Sequence, residues 1–163
     1  MQLNERRAFL EALDPAARRA ALERLSDRER RALRTHWGLW AHPGQLAPHS
    51  DWSAWLIMAG RGFGKTRAGA EWVRSVAENN PDARIALVSA SLGEARSVMV
   101  EGESGLLAIA PAKLRPRFEP SRRLLTWRSG AQAMLYSAGE SESLRGPQHS
   151  HACWTGAEGT VRQ

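Results

Sequence analysis

The chain has 163 residues, a formal net charge of +6 and a pI of about 10.8, which is room for one domain whose core buries roughly two-thirds of the unfolded surface. A single cysteine, Cys153, excludes an internal disulfide, no apolar run approaches the ~18 residues of a membrane span, and Met1–Arg7 lacks a signal-peptide core, so a soluble cytoplasmic protein is expected. Lys65 and Lys113 are the only lysines among 23 basic residues; the arginine excess suits a phosphate-rich partner, genomic composition explains it equally well, and charge alone assigns no DNA binding.

Residues 4 to 35 read as short amphipathic helices, with Phe9, Leu10 and Leu13 in the first, Ala20, Leu22 and Leu25 in the second, and Leu33 in the third. Asp14-Pro15 and Ser26-Asp27 punctuate them. Each pair places a capping side chain just ahead of a helix start, and Pro15 falls at the first helical position, where its missing N–H costs nothing. This predicts a helical N-terminal arm over residues 1–36, with packing as its simplest role and a lid or partner-binding arm as alternatives. Residues 37 to 55 then form a Pro- and Trp-rich connector (Trp37, Trp40, Pro43, Pro48, Trp52, Trp55) with little regular structure, suited to wrapping an adenine.

The apolar run Trp55-Leu56-Ile57-Met58 reads as a strand and leads into Ala59-Gly60-Arg61-Gly62-Phe63-Gly64-Lys65-Thr66. This is the layout of a phosphate-binding loop. Glycines let the backbone curl so that its N–H groups point at phosphate oxygens, and the following helix adds its positive end. Lys65 would reach the β- and γ-phosphates and Thr66 would ligate Mg²⁺. The pattern GxxxxGK[ST] wants glycine where Ala59 stands, so the match is a one-position variant supported by its strand and helix context.

From Lys65 to Asn79 the apolar Ala68, Trp72, Val73 and Val76 fall at helical spacing, and Asn79-Asn80-Pro81 stops the helix. Arg84–Ser89 is a short apolar, β-branched run, the signature of a buried parallel strand, so strand, helix and strand make a βαβ unit. Residues 92 to 101 read as helical, and Phe118–Trp127 with Ala131–Tyr136 as a hairpin or neighbouring strands. The fold class expected is α/β: a P-loop NTPase with a parallel sheet core flanked by helices.

Hydrolysis needs more than the loop: a metal-holding Asp, a water-activating Glu and a charge-stabilising Arg. Arg145, on the Leu144-Arg145-Gly146-Pro147 turn, is the candidate arginine, with a solvated loop arginine as the plain alternative. After Ala152 the chain reads Cys153-Trp154-Thr155-Gly156-Ala157-Glu158-Gly159. Glu158 is the nearest acid and follows only a very short apolar run, so a solvated tail residue is the simpler reading of it.

Residues Trp52–Arg74 resemble the ATPase domain of the large terminase subunit, the DNA-packaging motor of tailed bacteriophages and gene transfer agents. Pro43-Gly44-Gln45-Leu46 and Leu144-Arg145-Gly146-Pro147-Gln148 are similar to that family too, so the resemblance covers residues 37–152, the expected ATPase core. It implies that Arg61, Gly62, Phe63, Gly64, Lys65, Thr66 and Arg67 hold ATP, with Mg²⁺ on Thr66. A loop arginine is common in the family, which accounts for Arg61 and for the tolerated Ala59. It further implies Gln45 as the adenine-binding glutamine and Arg145 as a finger reaching a neighbouring subunit's nucleotide. The implied partners are double-stranded DNA, a portal protein, a small terminase subunit and further copies in a ring, with no membrane, in the cytoplasm of a bacterial host.

The departure lies at the C-terminus, where the family carries a strand ending in Asp-Glu and then a nuclease domain. Here Thr155 and Gly156 stand at that place, and residues 153–163 read as an unpatterned tail, as after a frameshift or premature end. The expectation is therefore an incomplete ATPase core that binds ATP with impaired hydrolysis. The alternatives are another P-loop enzyme, helicase-like or a small-molecule kinase, and a non-catalytic nucleotide-binding remnant.

Overall fold

A computed structural model of the chain describes residues 12–49, 51–156 and 159–162. The chain divides into two compact units, Met1–Leu46 and Ala47–Gln163, ten residues beyond the end expected for the arm. The helix expected around Phe9 and Leu10 lies outside the described residues.

The first unit contains α1 (Pro15–Glu23), α2 (Asp27–Thr35), one further helical turn, α3 (Trp37–Trp40), and a 3₁₀ turn at Pro43–Gln45. The capping residues fix the starts. The Asp14 carboxylate accepts the N–H groups of Ala16 and Ala17 at 2.9 and 3.0 Å, with Pro15 at the first helical position. Ser26 and Glu29 form a reciprocal capping box, the Glu29 N–H donating to Ser26 Oγ and the Ser26 N–H to Glu29 Oε2. The connector is more regular than expected at Trp37–Trp40, where the Trp40 indole N–H donates to the Leu33 carbonyl at 2.7 Å.

The second unit is mixed α/β. Its sheet holds β1 (Ala54–Ile57), β2 (Arg84–Ser89), β3 (Arg117–Glu119), β4 (Leu124–Thr126), β5 (Gln132–Ser137), β6 (His151–Trp154) and β7 (Gly159–Arg162). The spatial order is β1-β7-β6-β2-β5-β4-β3. β6, β2 and β5 are parallel neighbours, and β1 runs in the same direction because both β1 and β6 pair antiparallel with β7. The expected parallel core is thus present in β6, β2 and β5, and the antiparallel β7, β4 and β3 make the whole sheet mixed. Antiparallel pairing follows from short connections, since a parallel crossover needs a dozen or more residues. Only four residues join β6 to β7, and the 3₁₀ turn Pro120–Arg122 with Arg123 joins β3 to β4.

Residues 153–163, expected to lack pattern, close β6 at Trp154 and supply β7 between β6 and β1. Strand pairing is a tertiary property, and a four-residue run containing Cys and Trp carries little of it in its spacing.

β2 is buried on both faces, with Ile85, Ala86, Leu87 and Val88 all 8% exposed or less, which is why its sequence does not alternate. α4 (Lys65–Asn79) buries Ala68, Ala70, Trp72, Val73 and Ala77 and meets the sheet at β6 and β7. Ala86, Val88 and Tyr136 form a core cluster with Met134, Leu144 and Ala152 packed on it. The helix expected over 92–101 begins as α5 (Leu92–Glu94) and continues as a π-helix over Ala95–Val100, where the Glu101 N–H donates to the Arg96 carbonyl. A single helical turn, α6 (Leu106–Ile109), precedes β3.

Candidate functional site

Residues 58–64 leave β1 as a loop and enter α4 directly at Lys65. Gly62 and Gly64 have φ of +80° and +87°, the left-handed region in which a Cβ is strained. Gly64 is the N-cap residue and has no side chain with which to close the helix start. The first N–H groups of a 15-residue helix therefore face the inside of the loop with the positive end of the helix dipole behind them. Gly60 and Gly62 are exposed, and a Cβ built at either meets nothing within 4 Å. The Lys65 ammonium arches back over the loop, donating to the carbonyls of Ala59 and Gly60 at 2.7 and 3.0 Å.

A pocket opens beside this helix start. It is lined by Ile57 of β1, by Lys65, Thr66 and Gly69 of α4, and by Cys153 to Gly156 at the end of β6. Because β1 and β6 run in the same direction, both contribute their carboxyl ends, the edge where open α/β sheets bind ligands. Thr155 is held by β2 on both sides of its peptide: its N–H donates to the Val88 carbonyl at 2.9 Å, and its carbonyl accepts from the Ser89 hydroxyl at 3.0 Å. The Thr155 hydroxyl is buried and meets no hydrogen-bonding partner among the described residues. Gly69 and Cys153 form the floor, where a Cβ on Gly69 would come within 3.1 Å of the sulfur. Full burial pushes the Cys153 thiol up to about 12, so it stays protonated and serves packing.

The helix carrying the loop is anchored by charge. Glu71 is 3% exposed and is gripped by Arg67 from one turn before (2.7 and 2.9 Å) and by Arg74 from one turn after (2.8 and 2.9 Å). Arg67, expected among the ATP-binding residues, pairs with Glu71. Trp52 packs on Trp55 and Trp72 with ring centroids at 6.2 and 5.9 Å, and Trp72 on His151, so the connector's Trp52 and Trp55 are engaged in packing.

The sequence model of the terminase large subunit, T4likevirus-type, N-terminal, matches residues 56–154. The chain belongs to this terminase family. The matched span runs from β1 to the last residue of β6 and contains the loop, α4 and the pocket floor. The family carries a role in phage DNA packaging. No curated protein and no solved structure matches the chain.

Within this terminase chain, Gly62, Gly64, Lys65 and Thr66 are brought together at one helix start, with Arg61 exposed on the loop and Phe63 half-buried. Arg145 does not line the pocket. It is 78% exposed after the 3₁₀ segment Ala138–Leu144 and pairs with Glu142 at 3.0 Å. Gln45 belongs to the first unit, where its side-chain oxygen accepts the His42 N–H at 2.8 Å within a capping box. Glu158 lies outside the described residues. The sequence marked Thr155 and Gly156 only as standing where the family carries its acids and did not mark Gly69 at all, since both Thr155 and Gly69 reach the pocket through the pairing of β6 with β2 and the packing of α4. The Arg67-Glu71-Arg74 spacing was the available signal for the buried ion pairs.

Proposed function

We propose that the chain is the ATP-binding portion of a DNA-packaging motor, with a P-loop NTPase fold. The observation that carries this is the uncapped start of α4 behind two left-handed glycines, with Lys65 and Thr66 as its first two residues. The residues fit a triphosphate: the amides of residues 62–66 would cradle phosphate oxygens, the Lys65 ammonium would transfer from the Ala59 and Gly60 carbonyls to the β- and γ-phosphates, and the Thr66 hydroxyl would hold Mg²⁺. Mg²⁺, when bound, neutralises charge on the phosphates.

In the complete motor, ATP turnover would drive double-stranded DNA into a procapsid through a ring of subunits docked on a portal and served by a small terminase subunit, in the bacterial cytoplasm. Arg145, exposed on its turn, would reach a neighbouring subunit's nucleotide. A second reading, nucleotide binding without efficient turnover, is favoured by one feature. Among the described residues the pocket lining contains no carboxylate, and Thr155 and Gly156 follow β6 where an acid would serve metal and water.

The test is calorimetric titration of wild type and Lys65→Ala with a non-hydrolysable ATP analogue and Mg²⁺. The proposal expects binding by wild type and none by the variant, which has lost the ammonium that meets the phosphates. Equal affinity in the two would sink it.

A further inference from the structure

The chain's positive charge is densest at one place in the fold. Residues 113–128, which contain β3 and β4, hold Lys113, Arg115, Arg117, Arg122, Arg123 and Arg128 against Glu119 alone, a net charge of +5 within 16 residues. All six basic residues are exposed. The acid does not offset them, because Glu119 lies 3.6 Å from Arg122 and Arg123 meets Glu140 at 3.9 Å, loose pairs with arginine side chains 67% and 52% exposed. Exposed pairs of this kind contribute little.

β3 is the edge strand, six positions across the sheet from β1. At about 4.8 Å per strand that is roughly 29 Å from the phosphate loop, so the two surfaces do not compete for one ligand. The arginines flank the hairpin at both ends. Arg117 stands opposite Thr126 at one end, with Arg115 and Arg128 beyond it, while Arg122 and Arg123 form the tip.

Arg123 carries a second, independent observation. Its φ is +55°, and it is the one non-glycine residue at positive φ among the described residues. Its N–H donates to the Pro120 carbonyl and its carbonyl accepts the Leu135 N–H, so the turn holds that conformation firmly. Glycine or asparagine fits such a position better than arginine. An arginine there is accounted for by its side chain, and a strained residue in a charged cluster points to binding.

We infer that the β3–β4 hairpin is the surface on which this chain holds the phosphodiester backbone of duplex DNA. The inference rests on the DNA-packaging role for its choice of partner and is independent of nucleotide binding. Clustered guanidiniums match phosphate oxygens in geometry and charge, and backbone contacts of this kind are indifferent to sequence, as a translocating surface requires. The rival account is that the charges only keep an edge strand from pairing with another chain.

Fluorescence anisotropy with a labelled mixed-sequence duplex, in the absence of nucleotide, separates these accounts. The variant R122E/R123E keeps the edge charged. It is compared with R19E/R28E, exposed positions on α1 and α2 that change net charge by the same amount. The inference expects at least a ten-fold loss of affinity for R122E/R123E at low salt, a salt slope shallower by about 2 in log–log units, and a change below two-fold for the control. R123G is expected to lose affinity with no fall in melting temperature, since glycine takes the turn without strain. Equal losses for both reversals would reduce the effect to net charge and overturn the assignment. Wild-type affinity in R122E/R123E would overturn the surface while leaving DNA binding in place. A wild-type chain that binds no duplex at low salt would overturn both.

Discussion

Two kinds of helix start occur in this chain. α1 and α2 close their first turns with their own side chains, the Asp14 carboxylate and the Ser26–Glu29 capping box. α4 begins on Gly64, whose backbone is left-handed and which offers no side chain at all. Capping by a side chain is worth about 1 kcal/mol, so leaving a long helix uncapped forgoes stability that two neighbouring segments take. The difference is what the proposal of an external anion at the α4 start would explain, with the helix held from behind by packing and ion pairs. Variants at either kind of start can break that distinction or sharpen it.

The largest expected effect is on turnover. The loop supplies binding groups, whereas the described part of the pocket supplies no carboxylate beside Thr155, so a steady-state phosphate-release assay is expected to give a rate far below the order of 1 s⁻¹ typical of the slower enzymes. A rate near that value in wild type, lost in Lys65→Ala, would mean that an acid completes the site. If Glu158→Gln also removed that activity, Glu158 would be that acid.

Next comes the anchoring of α4. Glu71→Gln removes the buried countercharge shared by Arg67 and Arg74, leaving Arg74 with Glu78 at 3.5 Å, while preserving shape, and denaturant unfolding is expected to show a loss of about 3 kcal/mol. A loss under 1 kcal/mol would mean that the pairs are exchanged for water without penalty and do not hold the helix.

Gly64→Ala then sets the two starts against each other. A Cβ at φ +87° costs about 1–2 kcal/mol and distorts the loop, so stability and nucleotide affinity should fall together. Ser26→Ala should cost about 1 kcal/mol of stability and leave nucleotide affinity unchanged. Matching affinity losses in the two variants would erase the distinction.

The smallest effect concerns the pocket floor. Gly69→Ala brings a Cβ to 3.1 Å from the Cys153 sulfur and should cost about 1 kcal/mol. Adding Cys153→Ala makes room, so the double variant should lose less than the two single losses combined. Simple additivity would show that the close approach of α4 to β6 is not the reason for glycine at position 69.

What the sequence showed plainly is what neighbouring residues decide among themselves. Gly62, Gly64, Lys65 and Thr66 lie within five positions, Asp14 and Ser26 cap the turn beside them, and the unbroken apolar run of β2 declares burial on both faces. What it concealed depends on partners far along the chain. β6 becomes a strand through pairing with β2, some 66 residues earlier, and only that pairing brings Thr155 to the loop. The Arg67-Glu71-Arg74 spacing signals ion pairs, but the burial of Glu71 to 3% exposure is a consequence of packing. Arg123 gave no sign of its left-handed backbone, since nothing in Ser121-Arg122-Arg123-Leu124 demands it.

The central claim, that the α4 start is an open anion site whereas the starts of α1 and α2 are closed, is tested most directly by hydrogen exchange at individual amides with and without a Mg²⁺-bound, non-hydrolysable ATP analogue. The account predicts slowed exchange at the amides of residues 62–66 on adding the nucleotide, with the amides of Ala16, Ala17 and Glu29, already bonded to Asp14 and Ser26, unchanged. Unchanged exchange across residues 62–66 under saturating nucleotide would contradict it.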